Sequence, residues 1–79
     1  MSMRTRKTKY YILTDNNTLY KETPKYLYYW HHEYLTWRKM NSNYHIALHA
    51  GQPRLCFNGL LLIDNLIQID SLEAKIHRI

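Results

Sequence analysis

Between Pro24 and Met40 the chain reads PKYLYYWHHEYLTWRKM, which sets four tyrosines, two tryptophans and two histidines among four charged side chains. Rings beside cations suit the grip on single-stranded or distorted nucleic acid. Lys and Arg meet phosphates there, while Tyr, Trp or His stack on exposed bases at about 1–3 kcal/mol per base. The same rings can instead fill an aromatic core, because each buries about 150–250 Å². On a helical wheel the segment divides. Tyr26, Leu27, Trp30, Tyr34 and Trp37 share one face, and Lys25, Tyr28, His32, Thr36 and Lys39 share the opposite one. The first face is expected in the core. Lys25, Arg38 and Lys39 are then expected to meet phosphates, and Tyr28, Tyr29 and His32 to stack on bases or read their edges. Arg4, Arg6, Lys7 and Lys9 of the N-terminal arm extend the phosphate contacts.

Other chemistries draw on the same residues. His32, Glu33, Tyr34, Arg38 and Lys39 include the base, acid and cation types of a metal-free ribonuclease, and small basic toxins have comparable size. Residue types without convergent geometry are more often a solvated surface. His45 and His49 could share a zinc ion on a helix, but on a strand they sit about 13 Å apart on one face. His32-Glu33 is followed by Tyr34-Leu35-Thr36, so no HExxH motif forms. Neither a metal nor another cofactor is expected. Cys56, between Leu55 and Phe57, reads as a buried and inert thiol. As the single cysteine it excludes an internal disulfide and fits a reducing, cytoplasmic setting. No run approaches the roughly 18 apolar residues of a membrane span.

Charge is unevenly spread. Eleven Lys and Arg against six Asp and Glu give +5, and the first forty residues hold eight of the bases and three of the acids. All of the excess lies there, so an anionic partner is drawn to the first half. The neutral second half, with its run LLLIDNLIQI, is free to supply core or a homodimer contact that would project two basic helices.

The elements that must position these residues follow from local signals. Residues 1–9 read as a basic flexible arm and 10–79 as a single domain near the lower size limit for independent folding. Tyr10–Leu13 and Thr18–Tyr20 form a hairpin around Asp15-Asn16-Asn17. Thr23 caps, and Pro24 begins, the aromatic helix, which Asn41-Ser42-Asn43 ends. Tyr44, Ile46 and Leu48 alternate as a strand, and Asn58-Gly59 turns a second hairpin between Arg54–Phe57 and Leu60–Ile63. Leu66, Ile69, Leu72, Ile76 and Ile79 recur at helical steps, so a C-terminal amphipathic helix capped by Asp64 is favoured. The rival keeps Leu66–Ile69 as a strand and starts a helix at Ser71, with Asp70 and Glu73 as its capping box.

The expectation is an α+β domain of two hairpins, a central aromatic helix and a C-terminal helix, laid out like a winged helix. The tract RLCFNGLLLID and the amphipathic end resemble the wing and final helix of phage and transposon excisionases. The likeness covers about the last 25 residues, and it lacks the first helix those modules place before the recognition helix. The function expected is non-catalytic nucleic-acid binding, DNA ahead of RNA, in a regulatory or architectural factor of a phage or mobile element. The alternatives are a phage-type inhibitor of a host protein or nuclease complex, comparable to an anti-CRISPR, and a basic ribonuclease toxin.

Overall fold

The computed structural model describes residues 8–79, so Arg4, Arg6 and Lys7 of the expected arm lie outside the described residues. Eight strands and one short helix follow in order: β1 (Lys9–Leu13), β2 (Leu19–Glu22), β3 (Leu27–His31), β4 (Thr36–Lys39), β5 (Tyr44–His49), β6 (Gln52–Phe57), β7 (Leu60–Ile63), β8 (Leu66–Ile69) and α1 (Ser71–Ile76). They form a five-stranded antiparallel sheet of order β4-β3-β2-β1-β8 and a three-stranded antiparallel sheet of order β5-β6-β7. The fold is therefore mostly β, and the expected α+β, winged-helix-like layout is wrong.

The error centres on Pro24–Met40. In place of the central helix the chain runs as β3, a turn over 32–35, and β4, with Trp30 paired to Trp37 and Tyr28 to Lys39. Aromatic residues favour a pleated, half-buried surface, and β3 sets the rings of Tyr28, Tyr29, Trp30 and His31 in succession. The cap signal misled for a specific reason. The Thr23 hydroxyl does accept from the backbone N–H groups of Lys25 and Tyr26, at 3.3 and 3.0 Å, as a helix cap would. Thr23 N–H then donates to the Tyr26 carbonyl at 2.9 Å, so the same local bonds close a turn that returns the chain to β2.

The C-terminal helix capped by Asp64 is also corrected. Leu66–Ile69 is strand β8, paired with β1 through Leu13–Leu66 and Tyr10–Ile69, and the helix begins only at Ser71. Asp70 is its cap, accepting from the Glu73 N–H at 2.8 Å, as the rival reading had it. Both expected hairpins are present, as β1–β2 and β6–β7, and so is the strand Tyr44–His49. Asn16 Oδ1 accepts from the Thr18 hydroxyl and N–H, and Asn17 takes the left-handed conformation in the first turn. Asn58 and Gly59, at φ of 52° and 82°, supply the two left-handed positions of the second.

Strand parity sorts the rings. Tyr11, Leu13, Tyr20, Leu27 and Leu66 on one face of the larger sheet meet Leu55 of the smaller one, with Tyr29, Met40, Tyr44, Ile46 and Ile63 packed around them. Ile12, Leu19 and Ala74 are also buried but lie outside that cluster. Ile12 and Leu19 point to the opposite face, where α1 packs against β1. The side chain of Gln52 joins the two sheets at a corner, donating to the carbonyls of Asp64 and Leu66 at 3.2 and 2.7 Å.

The Tyr11 hydroxyl donates to Glu22 at 3.1 Å, and burial first, then the Glu22 charge, pushes its pKa up to about 12. Burial also raises Tyr20. The unfolded chain gives up these protons near pH 10, while the native fold keeps them, so the unfolded state binds fewer protons and stability falls as pH rises. Urea melts should show a fall in stability between about pH 10 and 12 that is shallower in Tyr11→Phe. An equal alkaline loss in that variant would discard the assignment.

β7 lies at a sheet edge and exposes Leu60, Leu61 and Leu62, with a register shift opposite it at Leu55/Cys56. Exposed apolar edges promote association. If this half forms the expected homodimer through β7, sedimentation should depend on concentration and Leu61→Lys with Leu62→Lys should abolish that dependence. Identical profiles for the variant and the parent chain would count against this surface.

Candidate nucleic-acid interface

The face of the larger sheet that turns away from the smaller one carries the chemistry. Alternation places Tyr10 and Ile12 of β1, Leu19 and Lys21 of β2, Tyr28 and Trp30 of β3, and Trp37 and Lys39 of β4 on this side. The pairings Tyr10–Lys21, Lys21–Tyr28 and Tyr28–Lys39 run as one row across four strands, alternating ring and cation. The strands place no carboxylate here. Glu22, the nearest in β2, points to the other side and accepts from Tyr11.

Cations and rings on this face touch. Lys21 Nζ stands 4.7 Å from the ring centres of both Tyr28 and Trp37, and Lys39 Nζ is 4.3 Å from that of Tyr26. The Arg78 guanidinium, just beyond α1, lies 5.7 and 5.5 Å from the rings of Trp30 and Trp37. The two indoles meet edge to face at 5.2 Å, and Tyr10 is 6.2 Å from Trp37. Cation–π contacts of this kind stabilise by about 0.5–2 kcal/mol, so the ammonium and guanidinium groups hold position without any carboxylate. Burial, and next the charge of Arg78, lower the Lys21 pKa.

Beside the row, at one end of the sheet, the β2–β3 turn opens a groove of about 530 Å³, lined by Thr8, Thr23, Pro24, Lys25, Tyr26 and Tyr28. Tyr26 and Tyr28 meet edge to face across 6.3 Å. Lys25 is exposed on the groove's rim, so three of the expected residues, Lys25, Tyr28 and Lys39, gather at one end of the sheet.

The remaining expected residues are dispersed. Tyr29 pairs with Tyr20 on the core side and packs against the main cluster. Arg38 shares that side, exposed on the edge strand with its guanidinium 5.4 Å from the Tyr34 ring. His32 is exposed in the β3–β4 turn, beside an open depression of about 430 Å³ that it lines with Tyr29, Trp30, His31 and Glu33. Lys9 is half-buried opposite Glu22. The set His32, Glu33, Tyr34, Arg38 and Lys39 does not converge, because Arg38 and Lys39 are strand neighbours on opposite faces.

Sequence reasoning missed Tyr10, Lys21 and Arg78. A period-two reading would have put Tyr28 with Trp30 and Trp37 with Lys39 on one face, but no local pattern joins Lys21 to Arg78, fifty-seven positions apart. No helix among the described residues is long and apolar enough to cross a membrane. No protein-family model, curated protein or solved structure matches the chain.

Proposed function

We propose that the protein binds nucleic acid without catalysis, through the outer face of its five-stranded sheet, in the cytoplasm. One observation carries the reading: the row Tyr10, Lys21, Tyr28, Lys39 alternates rings and cations across four strands with no carboxylate among them. A sheet face fits a single strand, whose bases can splay onto rings while cations follow the backbone. DNA is the first ligand to test, and the positive half of the chain would speed its encounter.

Fluorescence anisotropy with single-stranded and duplex oligonucleotides of DNA and RNA at two salt concentrations tests this. Single strands are expected to bind more tightly than about 100 μM at low salt, with log affinity falling by roughly 2–3 per decade of salt for three or four phosphate contacts. Binding of none of them at that level would sink the proposal.

A protein-directed inhibitor is the second reading, favoured by the β3–β4 tip. Tyr34 and Leu35 there are 66% and 65% exposed, and Leu35 is held at a φ of +52°. Exposed tyrosines are frequent anchors of protein contacts. Salt-independent capture of one protein partner would favour it, and RNA cleavage lost in His32→Ala would favour the ribonuclease instead.

A further inference from the structure

We propose that Lys21 and Arg78 together form a two-pronged anion site over the Trp37 indole, which takes one phosphate of a nucleic-acid backbone and thereby holds α1 against the sheet. This rests on the binding face described above and assigns it a specific phosphate contact and a moving part.

Two cations from opposite ends of the chain converge on one ring, Lys21 at 4.7 Å and Arg78 at 5.5 Å from its centre. Like charges so placed repel, and the lowered Lys21 pKa reflects that repulsion after burial. Neither has a carboxylate to offset it. Among the described residues the one ion pair joins His77 to Glu73, at 3.8 Å, and Asp70 is committed to its helix cap. An anion between the prongs removes the repulsion and gains charge-assisted hydrogen bonds from both. Trp30 adds to the pattern, since its indole N–H is buried with no hydrogen-bond partner among the described residues and its ring lies under Arg78. An unpaired buried donor favours any rearrangement that supplies an acceptor.

The link to α1 follows from its length. A six-residue helix has no stability of its own and depends on docking. Its attachment is slight, resting on Ala74, its one buried residue, and on the Arg78 side chain behind it. While the site is empty, Lys21–Arg78 repulsion works against docking. A bound phosphate turns the same pair into a tether.

The chain contains only two tryptophans, Trp30 and Trp37, and both belong to this cluster, so intrinsic fluorescence reports on it directly. The experiment titrates the full chain, Lys21→Met, Arg78→Gln and the double variant with an eight-residue oligothymidylate and, separately, with inorganic phosphate. Amide hydrogen exchange over 71–79 is followed in parallel. The oligonucleotide should change the fluorescence and slow exchange in that segment. Each single variant should weaken binding about tenfold and lower the salt slope by about 0.7, the contribution of one phosphate on a single strand. The double variant should lower the slope by that same 0.7, because both prongs share one phosphate.

A slope that falls twice as far in the double variant, or not at all in either single one, overturns the shared site while leaving nucleic-acid binding intact. Unchanged exchange over 71–79 overturns the tether. If the oligonucleotide does not bind the parent chain, the functional reading fails instead. Inorganic phosphate then decides the anion site: a saturable fluorescence change lost in Arg78→Gln upholds it, and a flat response removes it. Arg78→Lys, which keeps the charge, should recover part of the affinity and rules out simple misfolding as the cause.

Discussion

Leu66→Ala is expected to lower folding stability by about 2–5 kcal/mol, the cost of a truncation at a fully buried core site. A domain of this size has only about 4–12 kcal/mol in total, so the variant should be largely unfolded at moderate urea. Leu66 is fully buried, sits opposite Leu13 where β8 joins β1, and belongs to the cluster with Leu55 of the smaller sheet. Its carbonyl also accepts the Gln52 bond at 2.7 Å that pins the corner between the sheets. Truncation would leave a cavity where three strands meet, and neighbours held by two sheets cannot collapse into it. Equilibrium denaturation by urea measures the loss. A change under about 1 kcal/mol would mean that β8 is not a packed strand.

The second large effect separates two adjacent tyrosines. Tyr28→Ala is expected to weaken single-stranded binding by roughly 5- to 150-fold, the range set by stacking of one base, with little loss of stability. Tyr29→Ala should do the reverse, costing stability by about 1–3 kcal/mol and leaving affinity nearly unchanged. Parity supplies the reason. Tyr28 belongs to the row of rings and cations and, with Tyr26, lines the groove beside it, whereas Tyr29 packs against the core. Lys21 already covers part of the Tyr28 ring, so the base is expected from the groove side, where Lys25 and Tyr26 flank it. Anisotropy and urea melts on both variants give the two-by-two result. Equal loss of affinity in both would remove the sheet face as the binding surface.

Where local chemistry dominates, the sequence was legible. Asp15-Asn16-Asn17 and Asn58-Gly59 turn as their side chains and backbone freedom require, and the alternation from Tyr44 to His49 is a strand. Thr23-Pro24 and the series Leu66, Ile69, Leu72, Ile76 were legible only as ambiguities. A hydroxyl that accepts from two following N–H groups serves a helix cap and a turn alike, and apolar residues three and four apart also occur where a strand runs into a short helix. Each was resolved by pairing with a distant segment. β3 had β2 to pair with, and β8 had the free edge of β1, more than fifty residues earlier.

The candidate site divides in the same way. The sequence by itself determined its materials: the concentration of rings and cations in the first half and the excess of positive charge. Only the tertiary structure decided which side chains act together. Strand alternation moved Tyr29 and Arg38 to the core side, register brought in Tyr10 and Lys21, and the docked C-terminus laid Arg78 over Trp37. A side chain's type is local, but the face it occupies depends on whether the backbone repeats every two residues or every 3.6. That choice was made by long-range hydrogen bonding and burial, which no single segment encodes.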